Sequence, residues 1–115
     1  MNEVVIYTQG YMSDECVFSS MDRYALQYVF EQKVVHLLGT EKSNAPFLLW
    51  ANANKVAFRV PEVNYTKYGY SALQRVARSL FQNDEVKTLV VSHIDANSLE
   101  ITHMAKVKGI EVITL

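Results

Sequence analysis

One cysteine, four glycines and two prolines are all that 115 residues contain of these types, and each scarcity closes off a class of protein. Cys16 alone cannot form an intramolecular disulfide, so the chain is not a disulfide scaffold, and nothing near it resembles a metal-ligand pair. His36, His93 and His103 are isolated from Cys16 and from one another, so neither a metal nor any other cofactor is expected. The glycines stand at positions 10, 39, 69 and 109, too dispersed for a phosphate-cradling loop, which disfavours the usual nucleotide enzymes. No apolar run approaches the roughly 20 residues that span a bilayer, and Met1-Asn2-Glu3 lacks the basic start of a secretory signal. The expectation is a cytoplasmic protein with no membrane partner. Charge of one sign is lacking as well: a net charge of -1 gives no overall attraction for nucleic acid, so net charge neither indicates DNA as a partner nor excludes it, since a local basic face can still bind it.

What the chain does have is apolar content, 50% of its residues, enough for one core in one domain spanning 1–115. The stretch 86–115 reads as a complete parallel β-α-β unit: a strand at 87–91, a polar turn at 93–97, a helix to Lys108, then Gly109 and a strand at 110–115. Asn97, with Glu100 three residues on, is the expected N-cap, and Gly109 suits the left-handed residue that ends a helix. At the other end, 4–7 reads as the central strand of the sheet and 10–18 as a polar loop at its carboxyl end, where ligand sites of open α/β sheets lie. Ser19 is then the expected cap of a helix whose Met21, Tyr24, Ala25, Tyr28 and Val29 share one face.

A second strand is expected at 33–38, followed by a surface connection at 40–44 and a β-hairpin at 47–60 that turns at Asn52 and Asn54. Residues 61–70 show no regular period and read as a loop. Leu73, Val76, Ala77, Leu80 and Phe81 then repeat at helical spacing behind a Ser71/Gln74 capping pattern. Alternating strands and helices predict an α/β fold, a three-layer α-β-α domain with a mainly parallel sheet.

Few residues carry chemistry. His93 and Asp95 follow a strand in the favoured position for an acid/base pair; the simpler reading makes Asp95 a turn or cap residue and His93 a partly exposed loop residue. Ser13, beside Asp14 and Glu15, is a hydroxyl near carboxylates, without the base or the cations that a serine nucleophile needs. Arg59, Tyr65, Lys67, Tyr68 and Tyr70 interleave cations with rings as a single-strand nucleic-acid surface does, or else the tyrosines anchor a long loop on the core.

The run Ser71 to Val76, the run Val86 to Asp95 and the run Lys108 to Ile113 together resemble the catalytic domain of the resolvase/invertase serine recombinases. That family has a helix beginning Arg-Pro-x-Leu, a strand Leu-Val-Val-x-x-Leu/Ile-Asp-Arg-x-x-Arg and a final strand after Gly-Ile/Val; Ile6 to Tyr11 looks like a worn form of its Tyr-x-Arg-Val-Ser. About half the chain is covered. The resemblance implies a resolvase-like fold and places a catalytic aspartate at Asp95. It also exposes departures: Gln9, Tyr70, Ala96 and Leu99 stand where the family has arginine, and Tyr11 stands for its serine. Gln, Tyr, Ala and Leu cannot replace the forked, permanently charged donors of arginine at a phosphoryl centre.

The expectation is therefore a non-catalytic recombinase-like domain that acts by binding a protein, either a second copy of itself or a protein of a recombination, mobile-element or phage process. Two alternatives stand beside it. One is a DNA phosphodiester-cleaving enzyme using Ser13 and Asp95; the other is a small-molecule or nucleotide-binding domain whose pocket lies near Gln9, Tyr11, His93 and Asp95. Gln9, Tyr11, Tyr70 and His93 are the expected binding residues.

Overall fold

The computed structural model describes residues 3–10, 12–27 and 34–115. Tyr11, Tyr28 and Val29, and the side chains of Tyr24 and Ala25, lie outside the described residues. The elements run β1 (Glu3–Tyr7), α1 (Asp14–Gln27), β2 (Val34–Leu38), α2 (Glu41–Ala53), β3 (Ala57–Arg59), α3 (Tyr65–Tyr68), a 3-10 turn (Gly69–Ser71), α4 (Ala72–Phe81), β4 (Val86–Val91), α5 (Ala96–Val107) and β5 (Glu111–Thr114). All five strands are parallel, in the order β3-β2-β1-β4-β5. Parallel neighbours cannot be joined by a tight turn, so a helix must carry the chain back between them. The α/β class expected from the alternation is what forms.

Because side chains alternate along a strand, β1 feeds two cores. Val5 and Tyr7 join Leu89 and Val91 of β4 against Leu73, Ala77 and Phe81 of α4 and Ile101 and Ala105 of α5. Val4 and Ile6 join Val35 and Leu37 of β2 against Val17 and Met21 of α1 and Phe47, Trp50 and Ala51 of α2. The chain steps outward from β1 to β3 with helices on one face, then crosses to β4 and β5 with helices on the other. At the amino ends of the strands, His36 Nε2 donates to Glu3 Oε1 at 2.7 Å and Asn83 Nδ2 donates to Glu3 Oε2 at 2.7 Å. The His36 hydrogen bond is the main cause that holds the Glu3 carboxyl below its ordinary range.

The hairpin expected at 47–60 does not exist, and the connection expected at 40–44 is the start of a helix. Residues 41–53 form α2, and only the end of the second expected strand survives, as β3, which pairs parallel with β2. Period decides between the two patterns: Asn44, Phe47 and Ala51, with Pro46 and Trp50, are buried at helical spacing. Thr40 caps this helix, its Oγ1 accepting from the Ser43 N–H at 3.2 Å while Ser43 Oγ accepts from the Thr40 N–H at 2.9 Å. Trp50 is also tied to α1, its indole N–H donating to Asp22 Oδ1 at 3.0 Å.

Three smaller corrections concern helix starts. α1 begins at Asp14, not after Ser19, because Ser13 Oγ accepts from the Cys16 N–H at 3.2 Å and shortens the loop that precedes it. The cap of α5 is Asp95 and not Asn97: Ser98 stands three residues after Asp95 and completes a reciprocal box. Ser71 makes no side-chain cap bond to α4, and its hydroxyl donates to the Tyr68 carbonyl instead. Within 61–70, expected as loop, Asn64 caps the single helical turn α3.

Lys55, just beyond the Asn54 cap of α2, has φ of 55°, a left-handed conformation that costs a residue with a Cβ about 1 kcal/mol. Lys55→Gly is expected to raise unfolding stability by about 0.5–1 kcal/mol, read as a higher denaturant midpoint at unchanged slope; an unchanged or lower midpoint contradicts it.

Candidate functional site

In a sheet of this order the neighbouring strands β1 and β4 send their chains to opposite faces, and the crevice between their carboxyl ends is where such folds ordinarily take a ligand. Here that crevice is filled by the protein's own groups. Gly10 has φ of +102° and lies so close to His93 that a Cβ on it would come within 2.9 Å of the imidazole Cγ. The fully buried Tyr7 sends its hydroxyl to the Asp95 carboxylate, 2.9 Å from Oδ1 and 2.8 Å from Oδ2. Asp95 Oδ1 also accepts from the Ser98 N–H at 2.8 Å, and Ser98 Oγ accepts from the Asp95 N–H at 2.8 Å. Burial of the phenol, and then the carboxylate that takes its proton in a hydrogen bond, push the Tyr7 pKa well above its ordinary value.

Asp95 is thus the cap residue of the simpler reading, engaged on both sides, and is not poised as a free acid or base. Gln74 strengthens the same corner from α4, donating to Asn97 Oδ1 at 2.7 Å and to Glu100 Oε2 at 3.0 Å. Tyr65 of α3 is near enough to add to the rise in the Tyr7 pKa, and burial raises its own phenol pKa.

The open space lies one strand over. A cleft of about 700 Å³ sits at the carboxyl ends of β1 and β2, between the N-termini of α1 and α2. Gln9, Gly10, Met12 and Ser13 form one wall, the first-turn residues Asp14 and Glu15 hang beside it, and Thr40, Lys42, Ser43, Ala45 and Pro46 form the other. Its back is rigid: Thr8 Oγ1 reaches Ser43 Oγ at 3.2 Å and hydrogen-bonds Asn44 Oδ1, and a Cβ on Gly39 would come within 2.2 Å of that Thr8 oxygen.

The expected site residues therefore separate. Gln9 and Ser13 reach the cleft; Ser13 is there as the cap of α1. Asp95 and His93 belong to the crevice, and neither is among the residues that line the cleft with Ser13. Tyr70 is 96% exposed in the turn before α4, and Tyr11 lies outside the described residues. Of the interleaved cations and rings, Lys67 lies over Tyr68 at 5.2 Å from the ring centre, and Arg75 of α4, outside that set, lies over the same ring at 4.2 Å. The α2 wall was missed because 40–60 reads as connection and hairpin; the Thr40-x-x-Ser43 cap followed by buried positions 44, 47 and 51 is the signal that marks it.

Among the described residues no three His, Cys, Asp or Glu side chains gather as a metal site, and no helix is long and apolar enough to cross a membrane. Fold and cleft define a doubly wound, all-parallel α/β domain with an open site beside the switch point. No known protein family, no curated protein and no solved structure matches the chain.

Asp95→Ala removes a helix cap and leaves the Tyr7 hydroxyl buried without an acceptor, so a loss of about 2–4 kcal/mol is expected in chemical unfolding. Tyr7→Phe leaves Asp95 its bond to Ser98 and is expected to cost only about 1 kcal/mol. Since the folded pKa of Tyr7 is raised, its contribution is present below the ordinary phenol pKa of about 10 and is lost as pH rises beyond it. Stability of the native chain should accordingly fall above that pH, and more gently in Tyr7→Phe; equal alkaline slopes in the two proteins count against the Tyr7–Asp95 bond.

Proposed function

We propose that the chain is a non-catalytic binding domain that holds a small, donor-rich polar molecule without negative charge, of the amine class, in the cleft between α1 and α2. The carrying observation is Gln9: it lines the cleft, and its side-chain carbonyl oxygen is buried with no hydrogen-bond partner. Buried acceptors are nearly always paired, so a donor on a ligand is the natural complement. Pro46 adds a second acceptor. Lying inside α2 without an N–H, it deprives the Lys42 carbonyl, on the same wall, of its helical donor.

Charge points the same way. Two helix N-termini would ordinarily draw an anion, but Ser13 and Thr40 already occupy part of that donor capacity, and Asp14 and Glu15 supply negative charge at the first turn of α1. A phosphate would meet both carboxylates against the single Lys42. Both side chains expected to carry catalysis have structural partners: Ser13 Oγ accepts from the Cys16 N–H, and Asp95 is held by Tyr7 and Ser98.

Thermal unfolding across a panel of small amines, sugars, phosphates and nucleotides tests this. A ligand that binds the native state alone at about 100 times its Kd stabilises by about 2.7 kcal/mol. Amines are expected to raise the midpoint saturably, and Asp14→Asn with Glu15→Gln, both at exposed positions, should remove the shift. Stabilisation by phosphates or nucleotides, or an amine effect that survives both substitutions, overturns the proposal.

A further inference from the structure

On the opposite face of the sheet, away from the cleft, the C-terminal halves of α4 and α5 leave a groove of about 290 Å³ between them. Phe81, which is 5% exposed, and the half-buried Met104 form its apolar floor, and Val107 stands at its edge 73% exposed. Arg78, His103 and Lys108 ring it, and no carboxylate is among the residues that line it. Among the described residues none of these three is in an ion pair. Cations near the ends of helices are ordinary, since they complement the partial negative charge there. Apolar surface exposed between them at Met104 and Val107, with Phe81 behind it, is less ordinary, because apolar helix surface normally buries itself against another element.

We propose that this groove is a docking surface for an acidic amphipathic peptide segment of a partner protein, its apolar side chains seated on Phe81, Met104 and Val107 and its carboxylates facing Arg78, His103 and Lys108. Charge complementarity selects the occupant: an apolar seam with basic margins matches a helix whose apolar stripe is bordered by Asp and Glu. The volume suits one or two anchoring side chains and is below that of a typical cofactor pocket. Central apolar anchors carry most of the affinity in such contacts, while the rim charges supply orientation and salt dependence.

Panning a phage-displayed random dodecapeptide library against the intact chain, with the selected peptides then measured by fluorescence anisotropy, tests the assignment. Enriched sequences should combine Leu, Ile, Phe or Met with Asp or Glu and lose affinity with rising salt. Binding should weaken about tenfold or more in the Arg78→Glu, Lys108→Glu double variant, and as much in Val107→Asp. All three positions are exposed, so the variants should keep the far-UV circular dichroism of the native chain. Enrichment of neutral or basic peptides, or binding insensitive to these substitutions, overturns the proposal. So does binding of duplex DNA or phosphatidylserine vesicles that the same substitutions abolish while no peptide is enriched, which would make the basic margin a polyanion surface.

Discussion

The burial of β1 on both faces is the constraint from which the rest of the structure follows. A strand at the middle of a parallel sheet must be apolar on each side, and Val4, Val5 and Ile6 satisfy this with no cost. Tyr7 does not, since it carries a hydroxyl to the carboxyl end of the strand where water is excluded. A buried hydroxyl without a partner costs about as much as a good hydrogen bond contributes. Asp95 resolves that demand, and because Asp95 also starts α5, one contact joins the central strand to the helix that leads into the edge strand β5. The β4–α5 turn is held in place by the same contact.

That contact also decides where a ligand can go. Among the described residues, the Tyr7–Asp95 pair on one side and His93 lying against Gly10 on the other narrow the switch-point crevice. Open volume lies where the chain leaves β1 and β2 in the same direction, into α1 and α2. The walls there are made of helix starts, and helix starts come with capping hydroxyls, first-turn carboxylates and free N–H groups. The polar character of the cleft is thus a by-product of how the two helices begin, while Gln9 and Pro46 tilt it towards acceptors. The groove between α4 and α5 has the contrary character: helix ends, with apolar floor and basic margin.

Where sequence patterns misled, the cause was a competition between local signals. Residues 47–60 contain β-branched and aromatic residues and an Asn-Ala-Asn turn, all strand-and-turn signals, yet burial at positions 44, 47 and 51 obeys a helical period. Tertiary packing on Val35 and Leu37 outweighed local propensity, as it commonly does. Pro46 lies inside α2 and leaves the Lys42 carbonyl without its helical donor, and the helix forms all the same because its buried face packs on the sheet. Capping was misassigned for a related reason: Asn97 with Glu100 and Asp95 with Ser98 are both plausible boxes, and the Tyr7 hydroxyl, 88 residues away, favours the second.

The alternation of strands and longer helices outside 40–70, the central place of β1 and the apolar face of α4 were legible in the sequence alone, because periodicity and turn residues act over a few neighbouring positions. Gln9 and Ser13 could be singled out on the same basis, since a polar stretch after a central strand is local information. Only the tertiary structure decided that Ser13 and Asp95 stand apart, that His93 closes the crevice onto Gly10, and that residues 40–46 supply the second wall of the cleft. Those facts depend on which loops meet across a sheet, and such meetings are set by packing between segments far apart in the chain.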